Sequence, residues 1–428
     1  MTVDHSKFLK KINFQLFLIL LLMTACFFTW SENVAITRAI KLVGRIGVLF
    51  ASYAIYDKII NYGAVDNLKW KNHLSILLYA SYLGLGFLSF LWSTDVGYSA
   101  LQWFMTAQTT IFCYFFIKSI YILDEFFPGH NIRFFNLVGN TVFVLILIFI
   151  IGMWVDPDSF YRLTNGGEEA RLGGYFMNPN ELGMLAGLGV AGLLFEFYRK
   201  HYIGWTIFKL LILFYCLLET GSRSSLIGAF LIIGFHLKQL NDARIKIAVV
   251  VVLMIVMPIA VNKIIFKDGD SSRMEEVLSM TGRLPFWTAL INEGLPREPL
   301  LGFGFMRIDY TDAFQSANTY AGKMTHNTFM QVLINLGFVG ITIVAFQMSF
   351  LFKGISREKK DVKLMLYCLL IPLIINSVTE FGIFGESNYG ILFYQLIIFY
   401  ISFEKSDIIT ATQKIQLKKR RPDLITDV

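Results

Sequence analysis

The stretch Met324–Phe352, MTHNTFMQVLINLGFVGITIVAFQMSFLF, decides how the rest of this chain is read. From Asn327 onward it holds no charged residue, and it runs past the roughly 20 residues that cross a hydrocarbon core. It reads as a membrane helix. Asn327, Gln331 and Asn335 recur at four-residue intervals in its first turns, so they share one face. A polar stripe is costly against lipid, and that face belongs to the interior of a bundle. His326 stands at the mouth of the helix, where a proton-transfer group facing the outside of a bilayer would sit.

Working outward, apolar runs of similar length recur at about 12–30, 39–57, 74–92, 100–118, 135–154, 181–198, 203–219, 223–237, 246–266, 327–352, 364–380 and 388–404. The chain is 55% hydrophobic, against roughly 45–50% in soluble domains. The expected fold is all-α: a single polytopic membrane domain over 1–428 with about twelve transmembrane helices. The run at Ile12–Trp30 follows Lys7, Lys10 and Lys11, but no small-residue cleavage site comes after it, so it reads as a retained first helix.

Starting the N-terminus in the cytoplasm places most of the 38 Lys and Arg on the inner side, including FKGISREKKDVK at 352–363 and LKKRRPD at 417–423. Residues 405–428 then form a basic cytoplasmic tail, and both termini are cytoplasmic. Topology thus accounts for the net charge of +7, and no basic domain with interleaved aromatics points to nucleic acid. On the outer side one loop, 267–325, is too long for an idle connector. Within it Pro285–Glu293 places Phe286, Trp287, Leu290 and Ile291 at helical spacing, which predicts a short amphipathic helix lying on the bundle. Cys26, Cys113, Cys216 and Cys368 lie in apolar runs without metal-binding spacing and read as buried thiols.

This topology puts His5, His73, His130, His201 and His236 at cytoplasmic positions and leaves His326 facing out. Three outward helix starts share its chemistry. In NPNELG, Asn178 caps a helix with Pro179 at its first position and Glu181 three residues on. In ETGSRSSL, Gly221 ends one helix and Ser222 caps the next, which sets Arg223 on a positive helix N-terminus. In KMTHNTF, Thr325 is the expected cap of the helix carrying His326. If the three ends converge, Arg171, Arg223 and Arg283 surround one outward pocket suited to a diphosphate, because arginine offers a planar fork of donors that stays charged. Asn178, Asn180, Ser222, Ser224, Asn327 and Gln331, at the same helix mouths, are candidate substrate contacts. Glu380 and Glu386, near the last outer loop, can approach the pocket as a carboxylate base or as arginine partners. Arg45 and Lys209 lie within proposed spans and receive no role. Asp268 and Asp270 form an Asp-x-Asp pattern, but KDGDSS is also ordinary turn chemistry, and no metal is assigned. Nucleophile-elbow, phosphate-loop, dinucleotide and zinc-protease motifs are missing, so no cofactor is expected.

The assembled pieces resemble the bacterial O-antigen ligase and O-antigen polymerase superfamily. They are RLGGYFMNPNELG at 171–183, TGSRSS at 220–225, TGRLPFW at 281–287, PLLGFGF at 299–305, and His326, Asn327, Gly337 and Gly340 in the spacing of the ligases. The resemblance implies a GT-C-like, metal-independent, inverting glycosyltransferase of the inner membrane with its active site on the periplasmic face. Its donor would be an undecaprenyl-diphosphate-linked oligosaccharide. The acceptor would be the lipid A core for a ligase or a second lipid-linked unit for a polymerase, and the ligase is favoured slightly. Arg223 and Arg283 would stabilise the leaving diphosphate and His326 would be the base. A non-enzymatic glycan transporter is the competing class. It predicts charges lining the full membrane depth, whereas the functional charges here gather at one face.

Overall fold

The computed structural model describes residues 3–62, 64, 66–126, 133–164, 169–198, 203–239, 283–305, 325–380 and 382–405, with isolated positions between 243 and 258. These residues are mostly helical. The helices are α1 (Val3–Ala25), α2 (Val34–Asn61), α3 (His73–Leu88), α4 (Val96–Phe126), α5 (Arg133–Val155), α6 (Pro157–Phe160), α7 (Pro179–Tyr198), α8 (Ile203–Glu219) and α9 (Arg223–Gln239). After the long loop come α10 (Arg283–Ala289), α11 (Thr328–Ser356), α12 (Lys360–Thr379) and α13 (Tyr389–Ser402). Six of them, α1, α3, α4, α5, α11 and α12, are long and apolar enough to cross a membrane. The expected run at 246–266 and the tail at 406–428 fall largely outside the described residues.

α7 is the centre of the bundle. It is buried along nearly its whole length, and α5, α8, α9 and α12 pack around it. Small residues permit this: a Cβ on Gly192 would lie 2.6 Å from the Gly139 nitrogen on α5, and one on Gly183 would lie 2.5 Å from the Ser225 hydroxyl on α9. Backbone approach of this kind is how helices associate where lipid tails are as apolar as leucine. Cys113, Cys216 and Cys368 are buried thiols, as their setting suggested, whereas Cys26, just past the end of α1, is partly exposed.

The bundle has two chemically different ends. At one, β1 (Leu68–Trp70) pairs antiparallel with β4 (Phe403–Lys405), and Lys71 bonds Glu358 at 2.8 Å. Lys118 pairs with Asp66 there as well. At the other lie the N-termini of α7, α9, α11 and α13 together with the C-terminus of α12. A hairpin of β2 (Tyr161–Thr164) and β3 (Glu169–Leu172) closes this second end. Asn388 caps α13 by accepting from the Gly390 nitrogen at 2.7 Å. Gly221, at φ +58°, turns α8 into α9.

α11 is broken at Gly337, whose φ of +62° and ψ of −163° interrupt the helix. The segment Pro299–Phe305 fills the break. Phe303 and Gly304 donate to the carbonyls of Ile334 and Asn335 at 3.1 and 2.9 Å, and Phe338 and Val339 donate to those of Pro299 and Leu300 at 2.8 and 3.1 Å. The segment therefore pairs the backbone groups that the break releases, the condition for a broken helix at membrane depth. A Cβ on Gly337 would lie 2.3 Å from Leu300 backbone atoms, so the approach requires glycine. On its far side the segment is held by the α3–α4 turn, where Thr94 donates to the Phe303 carbonyl at 3.1 Å and the Ser89 hydroxyl accepts from the Phe305 nitrogen at 2.8 Å.

Candidate functional site

Glu380 lies at the centre of the site. It follows the last residue of α12 in extended conformation, its N–H donates to the Asn376 carbonyl at 2.6 Å, and its side chain is 4% exposed. One carboxylate serves three partners. Oε1 accepts from Arg283 Nη2 at 2.9 Å and from Asn180 Nδ2 at 2.7 Å, and Oε2 lies 2.6 Å from Nδ1 of His326. Burial pushes this carboxyl up, but the hydrogen bond and charge of His326, the charge of Arg283 and the Asn180 amide outweigh it and hold it below the usual range. An ionised Glu380 fixes the neutral imidazole as the Nδ1–H tautomer, which makes Nε2 the basic nitrogen.

His326 has a φ of +48°, left-handed for a residue with a side chain. Such a conformation persists only when its surroundings impose it. They do so from both sides: Trp287 Nε1 donates to the Thr325 carbonyl at 2.7 Å, and Asn327 Nδ2 donates to the Val378 carbonyl at 3.1 Å. The helix cap is Asn327, not Thr325 as expected. Asn327 Oδ1 accepts from Phe329 and Met330 at 2.9 and 3.0 Å, while the Thr325 hydroxyl turns inward to Gln331 Oε1 at 3.0 Å. An amide reaches the N–H groups two and three residues ahead, and placing it at 327 leaves His326 outside the helix, where it can turn toward Glu380.

The arginines arrive from separate elements. Arg283 begins α10, which runs on through one π turn at Leu290–Gly294. The expected amphipathic helix thus lies at 283–294, with Phe286 and Leu290 buried against Ile334 of α11. Arg283 Nη1 donates to the Thr379 carbonyl, and its side chain is 16% exposed. Arg171, on β3, donates from Nε to the Thr220 carbonyl and from Nη2 to Asn180 Oδ1, both at 2.7 Å. Burial pulls its guanidinium below the usual value, joined by the charges of Arg223 and Arg162 and opposed by Glu169 and Glu380. Arg223, the first residue of α9, thus comes within electrostatic reach of Arg171.

Arg171, Asn180, Arg283 and His326 therefore meet through Glu380. Other expected contacts work locally: Asn178 Oδ1 accepts from the Asn180 nitrogen at 2.9 Å, and the Ser222 hydroxyl bonds Ser225 at 2.8 Å and lies 3.3 Å from Ser224. Gln331 and Asn335 are buried, so the polar stripe of α11 faces inward. Glu386 accepts from the Tyr98 hydroxyl. Glu380 was within view of the sequence, but its rank as hub depends on Arg283 and His326, 97 and 54 residues away. Asp268 and Asp270 lie outside the described residues, among which no three His, Cys, Asp or Glu side chains cluster as metal ligands.

No curated protein matches the chain. Residues 208–345, which contain Arg223, Arg283 and His326, match the family model described as O-antigen ligase, and this match supports the resemblance to the O-antigen ligase and polymerase superfamily over that region.

Proposed function

We propose that the chain is a glycosyltransferase that moves a glycan from undecaprenyl diphosphate to an acceptor sugar in cell-surface polysaccharide assembly, as an O-antigen ligase acting on the lipid A core. The O-antigen ligase match over residues 208–345, together with the apolar helices, supports a membrane glycosyltransferase acting on lipid-linked glycans. The observation that carries the reaction is the sharing of the Glu380 carboxylate between His326 and Arg283, because it sets a base beside an anion-binding group.

In this mechanism Nε2 of His326 takes the proton of the acceptor hydroxyl as that oxygen attacks the anomeric carbon. The bond from that carbon to the donor phosphate breaks from the opposite face, inverting the centre, and the electron pair leaves with the diphosphate. Arg171, Arg223 and Arg283 stabilise the charge gathering there. Glu380 stabilises the imidazolium, which later yields its proton to solvent. The donor bond supplies the driving force, so the reading includes no metal or cofactor.

The reading also places about twelve spans in the inner membrane, loop 267–325 outside, and both termini, including the basic tail 405–428, in the cytoplasm. The positive-inside rule supports this orientation, because Lys58, Lys71, Lys118, Lys353 and Arg357 lie on elements at the end opposite Glu380.

The test is transfer by the purified protein from an undecaprenyl-diphosphate oligosaccharide, with lipid A core and a second lipid-linked unit offered separately. A single product on lipid A core supports the ligase. A ladder built on the lipid-linked unit replaces it with a polymerase, and failure with both acceptors contradicts the proposal.

A further inference from the structure

A second set of charged side chains adjoins Glu380 on the side away from Arg171. Asn180 and Glu181 occupy the first turn of α7 and divide its two directions. Asn180 bonds Glu380 and Arg171. Glu181 has its backbone carbonyl bonded by the Tyr389 hydroxyl at the start of α13, and its carboxyl lies within electrostatic reach of Glu380 and then of Lys41 of α2 and Glu386. Lys41 is fixed in place independently. It lies four residues before Arg45, hence on the same face of α2 and about one 5.4 Å turn nearer the site end. Arg45 Nη1 donates to the Ser387 hydroxyl at 2.8 Å. The loop that receives it is rigidly held: Gly385 donates to the Tyr82 hydroxyl at 3.2 Å and Ser387 to Gln102 Oε1 at 3.1 Å.

The charged ends in this region are incompletely used. Arg45 is fully buried, with its guanidinium 3.8 Å from the Phe27 ring centroid, and its Nε and Nη2 have no hydrogen-bond partner. Lys41 and Glu181 are half-buried and close enough to feel one another's charge, yet they form no ion pair with each other or with another described residue. Partly buried charges left unpaired cost free energy unless another group satisfies them. The chemistry required is one that accepts from an ammonium and donates to a carboxylate within a few ångströms. Sugar hydroxyls do both.

We infer that Lys41, Glu181 and Glu386 form the subsite for the acceptor saccharide, with Arg45 and Tyr98 holding its floor. The inference rests on the glycosyltransfer reading and deepens it: the donor diphosphate lies on the Arg171 side of α7, and the acceptor sugar lies on the α2 side. Glu181 lies within electrostatic reach of Glu380, so a sugar held by Lys41 and Glu181 is near the Glu380–His326 pair. A structural role for the same charges, pinning α2 to the bundle, predicts lost stability without discrimination between substrates.

Acceptor and donor saturation curves, measured separately on the purified full-length protein with undecaprenyl-diphosphate oligosaccharide and whichever acceptor the wild type uses, separate these roles. Lys41→Gln and Glu181→Gln should each raise the acceptor KM about tenfold or more, the effect of losing one charge-assisted hydrogen bond. The donor KM should stay within about twofold. Lys41→Arg should restore acceptor affinity. An unchanged acceptor KM, or equal rises for donor and acceptor, overturns the subsite. If the glutamine variants do not fold, Tyr98→Phe decides: it removes the hydroxyl that orients Glu386, and an unchanged acceptor KM is again fatal to the proposal. Absence of transfer by the wild type would instead refute the glycosyltransfer reading, and the two failures are thereby distinguishable.

Discussion

In the proposed mechanism Glu380 couples a base to an anion clamp through one carboxylate, and its replacement tests both. In Glu380→Gln the side chain can offer an N–H to Nδ1, which shifts the imidazole proton to Nε2 and removes the basic nitrogen from the acceptor; transfer should fall about 10²–10⁴-fold in a single-turnover assay. Arg283→Lys keeps the charge but cannot bond both Glu380 and the Thr379 carbonyl while facing a phosphate, so activity should drop although net charge is unchanged. The folded state favours ionised Glu380, since His326, Arg283 and Asn180 hold its carboxyl low. That contribution to stability is complete above the ordinary carboxylate value of about 4.3 and disappears as pH falls through the lower folded value. The Tm advantage of wild type over Glu380→Gln should accordingly narrow as pH is lowered through this range; an advantage independent of pH would contradict the assignment. His326 was singled out in the sequence because it stood at a helix mouth, and Arg171 and Arg283 because they lay in outer loops beside such helix starts. Glu380 was harder to rank, since a carboxylate after an apolar helix is common and its meaning comes from residues far away in the chain.

At the scale of elements, the broken helix α11 positions the site. Pro299–Phe305 occupies the break at Gly337 and is pinned by the α3–α4 turn, so the half-helix that begins beside His326 is anchored through its backbone. Gly337→Ala places a side chain in a region of φ and ψ that is essentially glycine's own, at about 1–3 kcal/mol, and adds a collision with Leu300. Its Tm in detergent should fall well below that of Gly84→Ala, where an added Cβ meets no atom within 4 Å. Asn327→Ala should cost about 1 kcal/mol as a lost cap, read from the same melts, whereas Thr325→Ala should leave the cap intact. Hydrophobic runs forecast the positions of α3, α5, α8 and α12 closely, because each is written as one largely apolar segment. The break was not readable. Its glycine was noticed, but the strand of loop that fills it is tied to α11 only through long-range backbone bonds that residue types do not encode.

The whole molecule places its chemistry at one end and its ion-paired lysines at the other. The topology proposed from this asymmetry is checked by cysteine labelling in a Cys26→Ser background, since Cys26 is partly exposed whereas Cys113, Cys216 and Cys368 are buried. Glu298→Cys should react with an impermeant maleimide at the outer face of the inner membrane, and Arg357→Cys only after that membrane is permeabilised; the reverse pattern would invert the assigned orientation. Charge asymmetry is a property of the entire chain, and for that reason it could be read from the sequence before any contact was known. The setting of Arg45 could not, since inside a proposed span it resembles a misplaced boundary until Ser387 is brought beside it. The central claim is that His326, oriented by Glu380, is the base of a glycosyl transfer from a lipid diphosphate. The most direct measurement is the single-turnover rate of His326→Ala with undecaprenyl-diphosphate oligosaccharide and acceptor, alongside its affinity for the donor. The account predicts donor affinity within a few-fold of wild type and a transfer rate lower by about 10²–10⁴; a variant that folds, binds donor and transfers at the wild-type rate would contradict it.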